Sequence, residues 1–163
     1  MRLTLSLTAI LLVAACASIP APKPAPSPPL SPLPAPPVTV AERYVTLENP
    51  EDELDSLATW PTEDGGTWLV ATAKNSHELV VFDADSGEQL RSVGGRGQGP
   101  GQFMRPNGVF VYGDLLLVSE RDNGRVQMLS LPDFQPLGTF GEGLLRSPYG
   151  LWAHEADHGG LDV

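Results

Sequence analysis

The segment Arg105-Pro106-Asn107-Gly108 returns 42 positions later as Ser147-Pro148-Tyr149-Gly150, and Ser92-Val93-Gly94 returns 47 positions later as Thr139-Phe140-Gly141. A repeat of ~40–50 residues constrains the architecture more than any single motif, because each unit is then one supersecondary element that buries its faces against copies of itself. One unit can be read between Gly94 and Leu131: a glycine loop, a strand opened by Arg105-Pro106-Asn107-Gly108, a second strand at Leu115 to Ser119, a polar turn, and a third strand at Arg125 to Leu131. Leu, Val, Phe and Met fall there in short runs separated by Gly, Asp and Asn, and no stretch keeps a helical period for three turns. Short antiparallel strands repeating at this interval make the blade of a β-propeller, so the expected fold class is all-β.

An earlier blade precedes this one. Leu57 to Trp60, Thr67 to Ala73, Glu78 to Phe82 and Gln89 to Val93 read as its four strands, with Asp83-Ala84-Asp85-Ser86-Gly87-Glu88 joining the last two. That connection is too short for an EF-hand and lacks the glutamate at its twelfth position, so it reads as an Asx-type hairpin turn ending in glycine. The folded part, residues 38–163, holds about 125 residues, room for two to three blades where closed propellers use ~4–8. The expectation is the N-terminal part of a longer ring, a truncated stretch that would expose an open sheet flank and be inactive as an enzyme on its own.

Residues 1–15 read as a secretory signal peptide: Arg2 at a basic end, an uncharged apolar run from Leu3 to Val13, then Ala14-Ala15. The ending Leu12-Val13-Ala14-Ala15-Cys16 resembles a bacterial lipobox, which implies cleavage before Cys16 and acylation of its thiol; an ordinary signal with an incidental cysteine is the alternative. Ala17, in place of an aspartate retention signal, points to a lipid anchor in the outer membrane or to the periplasm. Cys16 is the one cysteine, so no intramolecular disulfide can form. From Ser18 to Pro37 come ten of the seventeen prolines, in a run that favours extended polyproline II at about 3 Å per residue. Residues 16–37 are therefore an anchor and a tether.

The formal net charge is -10. That balance disfavours nucleic acid and anionic lipid as electrostatic partners, leaving the membrane reached through the anchor alone. An anionic substrate would need metal cations between itself and the protein, and acidic loops are where hard cations such as calcium bind.

Asp52-Glu53-Leu54-Asp55-Ser56-Leu57-Ala58-Thr59-Trp60, then Ala71-Thr72-Ala73-Lys74-Asn75, then Leu79-Val80-Val81-Phe82-Asp83 resemble the opening of the β-propeller phytases. Arg105-Pro106-Asn107-Gly108-Val109, Ser119-Glu120-Arg121-Asp122 and Ser147-Pro148-Tyr149-Gly150-Leu151 extend the resemblance in order, over Pro50 to Trp152. The resemblance implies a six-bladed ring, monomeric when complete. It also implies calcium-dependent hydrolysis of myo-inositol hexakisphosphate by a metal-activated water, the chemistry of a 3-phytase-like phosphatase. Asp55 would carry over as a calcium ligand, Lys74 and Arg121 as phosphate clamps, and Tyr149 as a ligand hydroxyl. Each also has a plainer reading: a solvated turn acid for Asp55, a hairpin-tip lysine for Lys74, a surface pair with Glu120 or Asp122 for Arg121, a packed core ring for Tyr149. The chain departs from the family where Ser56 replaces its second acid, and the acids of later blades are missing.

The same region also resembles NHL repeats, through Gly97-x-Gly99-Pro100-Gly101-Gln102-Phe103, Arg105-Pro106-Asn107-Gly108 and Asp122-Asn123-Gly124-Arg125-Val126-Gln127. This second resemblance implies a non-catalytic binding scaffold in the bacterial envelope. Two further motifs are read as decoys. His154-Glu155-Ala156-Asp157-His158 matches a zinc-protease pattern but follows a strand and runs into Gly159-Gly160, and Gly95 to Gly101 leads to a strand rather than to the helix a phosphate loop requires.

Overall fold

Alternating and doubly apolar runs become strands wherever glycine, Asx or proline turns separate them, and no helix forms among the described residues. The structure is a computed structural model that describes residues 38–157 and 159–163. The signal peptide, Cys16, the proline tether and His158 lie outside the described residues. The fold is that of the unit Ala41–Val163.

The first sheet is β1 (Leu54–Pro61), β2 (Thr67–Ala73), β3 (Glu78–Asp83) and β4 (Gln89–Gly94), and the second is β5 (Pro106–Tyr112), β6 (Leu115–Glu120), β7 (Arg125–Ser130) and β8 (Gln135–Phe140). Each is a four-stranded antiparallel meander in sequence order. A two-residue pair, β9 (His154–Glu155) with β10 (Leu161–Asp162), follows. Two successive meanders, unclosed, are a propeller-like arrangement, as the repeat predicted.

The central strands are apolar on both faces because both faces are covered. Trp60, Val70, Leu79 and Val81 of the first sheet meet Val109, Leu116, Val118 and Leu129 of the second in one core, which Phe103 completes from the connecting loop. Ala71, Ala73, Val80 and Phe82 cluster on the other face of the first sheet, and Leu117, Val126 and Ala153 on the far side of the second. At one end of the core, Trp60 Nε1 donates to Asp114 across the sheets at 3.0 Å, and the Arg91 guanidinium lies 4.8 Å from the ring centres of both Trp68 and Phe134.

The opposite end is where the repeat is most faithful. The residue that opens each inner segment has positive φ although none is glycine: Glu53 at 51°, Arg105 at 53° and Ser147 at 53°. The inner strands then bulge at the same place, between Leu54 and Leu57 in β1 and between Pro106 and Gly108 in β5. A hydroxyl on the second strand closes each bulge. Thr72 Oγ1 accepts from Ser56 N–H at 3.0 Å and donates to the Asn107 carbonyl at 2.9 Å, while Ser119 Oγ accepts from Gly108 N–H at 2.9 Å and donates to the Tyr149 carbonyl at 2.9 Å. Gly108 permits this approach, since a Cβ there would lie 2.7 Å from the Tyr149 carbonyl oxygen.

The sequence-based bounds differ from these at strand ends. β1 begins at Leu54 rather than Leu57, because the bulge keeps the polar residues Asp55 and Ser56 within the strand. The turn after β3 is built as expected, with Asp83 Oδ1 accepting from Ser86 N–H and from the Ser86 hydroxyl at 2.7 Å each. Those bonds hold the Asp83 carboxyl below its usual range, the Ser86 hydroxyl being the largest cause.

Candidate functional site

The bulged ends place Asp55, Asn107 and Tyr149 at one repeat position in three successive segments, two residues after the positive-φ residue. Lys74 and Arg121 likewise match each other. Each follows the second strand of its sheet and donates its backbone N–H to the positive-φ residue's carbonyl, Lys74 to Glu53 at 3.4 Å and Arg121 to Arg105 at 3.1 Å. All five residues therefore lie at equivalent ends of their units, and the Thr72–Asn107 and Ser119–Tyr149 bonds stitch those ends together.

Lys74 and Asp55 are brought together. The Lys74 ammonium lies 3.3 Å from Glu53 Oε1 and 4.0 Å from Asp55 Oδ2, with side chains that are 16% exposed for Lys74 and 22% for Asp55. Arg121 stands apart from that cluster, half-exposed, with its guanidinium 3.8 Å from Asp122 Oδ1. Glu120, its other neighbour in sequence, is turned inward to Arg125. Tyr149 is 59% exposed, and what anchors it is its backbone carbonyl. No hydrogen bond or ion pair links Arg121 or the Tyr149 hydroxyl to Asp55 or Lys74 among the described residues.

Asn107 is the site residue that sequence reasoning missed. It is 1% exposed, its Nδ2 donates to Asp55 Oδ2 at 3.3 Å, and its Oδ1 is buried without a hydrogen-bond partner. The available signal was its place in Arg-Pro-Asn-Gly, third like the tyrosine of Ser-Pro-Tyr-Gly. Among the described residues no three His, Cys, Asp or Glu side chains gather as a metal cluster. The donors gathered there, the Glu53 and Asp55 carboxylates, are hard oxygens, the class that suits calcium, and supply fewer than the roughly six to eight ligands a calcium ion takes. They fit part of such a shell.

His77 holds the second sheet's inner strand to the first. Its Nδ1 accepts from Arg105 N–H at 2.9 Å, which requires a neutral ring. Burial pushes its pKa below the usual histidine value, and Arg96 and Arg105 push the same way against Asp122. A depressed folded-state pKa means that the unfolded chain binds the proton more readily. The stability held by this bond is therefore complete above about pH 6.5 and is lost as pH falls through the lower folded value. His77→Asn, which keeps a residue tolerant of φ 63°, is expected to flatten the decline in thermal midpoint between about pH 7 and pH 5 measured by circular dichroism. An unchanged pH profile would reject the coupling.

The zinc pattern is not realised as a zinc-protease helix: His154 lies in the short strand β9, its ring stacked 4.7 Å from that of Trp152. The Gly95 to Gly101 run is the connection between β4 and β5. Asn123, Arg125 and Gln127 reach it, with Arg125 Nη1 donating to the Gln98 carbonyl at 2.8 Å.

No family model matches the chain, and no curated protein matches it. Among solved structures it is similar to Kuenenia stuttgartiensis hydrazine synthase, with a TM-score of 0.50 and 16% identity over 74% of this chain. The chain spans 31% of that structure's length. At that identity the likeness concerns the fold alone, and it accords with a partial, propeller-like all-β arrangement.

Proposed function

We propose that the sheet end carrying Asp55, Lys74, Asn107, Arg121 and Tyr149 binds a phosphorylated small molecule. On this reading the domain belongs to a phytase-like phosphomonoesterase, with six blades when complete, that hydrolyses myo-inositol hexakisphosphate in a calcium-dependent reaction. The observation that carries the proposal is the register match of Lys74 and Arg121, which offers cationic groups at the same point of successive sheets in an otherwise acidic protein. The Lys74 ammonium supplies a point charge, already oriented by Glu53 and Asp55, and the Arg121 guanidinium a planar fork for two phosphate oxygens. Calcium, when bound, would polarise the phosphoryl oxygens and acidify the attacking water. Asp55 and the Tyr149 hydroxyl would be its ligands from this chain. An acylated Cys16 would hold the protein at the outer membrane or in the periplasm, with the proline run as spacer.

Phosphate release from phytate, assayed with calcium and with chelator, tests the reading. Lys74→Ala and Arg121→Ala are each expected to lower it about 10- to 100-fold with the circular dichroism spectrum retained, the scale of one lost charge-assisted contact. Near-parental turnover in either variant would remove that residue from the site.

A second reading is supported by the loop Gly97 to Phe103. The residues that resemble the NHL signature on one side of the repeat, Arg125 and Gln127, are bonded to those on the other, Gly101 and Gln102. In that reading the ring face is a scaffold for protein or glycan, and phytate is left intact.

A further inference from the structure

At the end of the core opposite the bulges lies a cavity of about 310 Å³ that has no part in the phosphate site, at the small end of the ~300–1,000 Å³ typical of ligand sites. The strand register builds its wall. Trp60 of β1 pairs with Trp68 of β2, and Trp68 with Asp83 of β3, so the three side chains stand in a row on the sheet face that meets the second sheet. Pro132, just after β7, closes the wall from the second sheet, and Glu63 and Asp64 of the β1–β2 hairpin stand exposed at the rim. The two indoles lie 5.0 Å apart and tilted by 51°. Trp60 Nε1 is committed to Asp114, so that ring offers the cavity carbon rather than a donor.

The rim is negative and unpaired. Among the described residues no lysine, arginine or histidine lies within ion-pair distance of Glu63, Asp64 or Asp83. The Thr62 hydroxyl, first, and the Gly66 N–H hold the Asp64 carboxyl below its usual range, while Asp83 pushes the other way, so the two negative charges feel one another. The aromatic rings already carry one cation, the Arg91 guanidinium 4.8 Å from the Trp68 ring centre, but it stays outside the cavity lining and its Nη2 donates to the Pro132 carbonyl at 2.5 Å.

We propose that this cavity binds a small organic cation of the quaternary ammonium class, with its alkyl groups against Trp60, Trp68 and Pro132 and its charge facing Glu63, Asp64 and Asp83. Such an ion is drawn both to the ring quadrupoles and to the carboxylates, and it has no N–H for which an acceptor must be placed. A calcium ion would instead need several oxygens converged at ~2.3–2.6 Å, and among the described residues no three acidic side chains gather in that way. The site is independent of the phosphate reading, since it lies at the other end of the sheets and selects the other sign of charge.

The test is isothermal calorimetry of the full-length protein with choline and with dimethylbutanol, the neutral isostere that carries carbon in place of the charged nitrogen. Choline is expected to bind, and the isostere to bind about tenfold more weakly or not at all. The double variant Glu63→Gln with Asp64→Asn keeps the shape of an exposed rim and removes two charges. It is expected to weaken choline about 3- to 10-fold with the thermal midpoint retained. Trp68→Leu is expected to abolish choline binding. Because Trp68 also packs against the core, the rim variant decides the matter if Trp68→Leu loses its fold. A parent that binds neither ligand, or both alike, overturns the proposal. Parental choline affinity in the rim variant, or in a folded Trp68→Leu, overturns it as well.

Discussion

Arg125→Ala is expected to destabilise the domain by about 3–5 kcal/mol, the cost of removing one partner from a buried ion pair. Glu120 is fully buried, and Arg125 Nε donates to its Oε1 at 2.6 Å with the arginine side chain only 10% exposed. Gln127 Nε2 and Met104 N–H donate to the same carboxylate at 3.2 and 3.1 Å, and the Asn123 amide does so as well. The guanidinium also reaches the carbonyls of Gln98, Gly99 and Gln102. Truncation would leave a buried carboxylate facing only neutral donors and three loop carbonyls with no donor from this side chain. Urea unfolding followed by tryptophan fluorescence measures the loss. The paired replacement Glu120→Met with Arg125→Leu should recover part of it, because no uncompensated charge then remains. A single-variant loss under about 1 kcal/mol would mean that water reaches the pair.

Phe103→Ala is expected to cost a similar 3–5 kcal/mol for a different reason, the cavity left by a large ring in a close-packed core. The ring is fully buried in the core shared by both sheets. It lies so close to Gly94 that a Cβ there would come within 2.4 Å of it, and Gly94 itself has φ +105°. The backbone of Phe103 is equally committed, accepting from Gly97 N–H at 3.0 Å and donating to the Gly95 carbonyl at 2.9 Å. Phe103→Leu should restore more than half of the loss in the same unfolding assay. If Phe103→Ala unfolded like the parent, the loop would have to be detached from the core in solution.

The strands were legible because a doubly buried strand must be apolar throughout: Val-Val-Phe after Leu79 and Leu-Leu-Leu-Val from Leu115 allow little else. The inner strand's start was not. Glu53-Leu54-Asp55-Ser56 shares no residue type with Arg105-Pro106-Asn107-Gly108 at matching positions, and the two agree only in backbone conformation and in the hydroxyl that closes the bulge. Asn107 was hidden for that reason. Glu120 reads as a surface partner of Arg121 in a polar turn and Arg125 as the first residue of the next strand, yet the two face each other across the β6–β7 register, and the loop before β5 covers them. Of the four residues singled out by resemblance, Asp55 and Lys74 are neighbours in space. Arg121 and Tyr149 share their repeat positions without touching them.

The stitching hydroxyls carry a direction. Thr72 reaches forward to the backbone of the sheet made after its own, and Ser119 does the same for the segment that follows. A nascent chain that has completed its first meander therefore already displays the hook on which the next inner strand hangs, and synthesis from the amino end delivers that strand second. The second sheet is hung on the first in the order in which the ribosome reads them out.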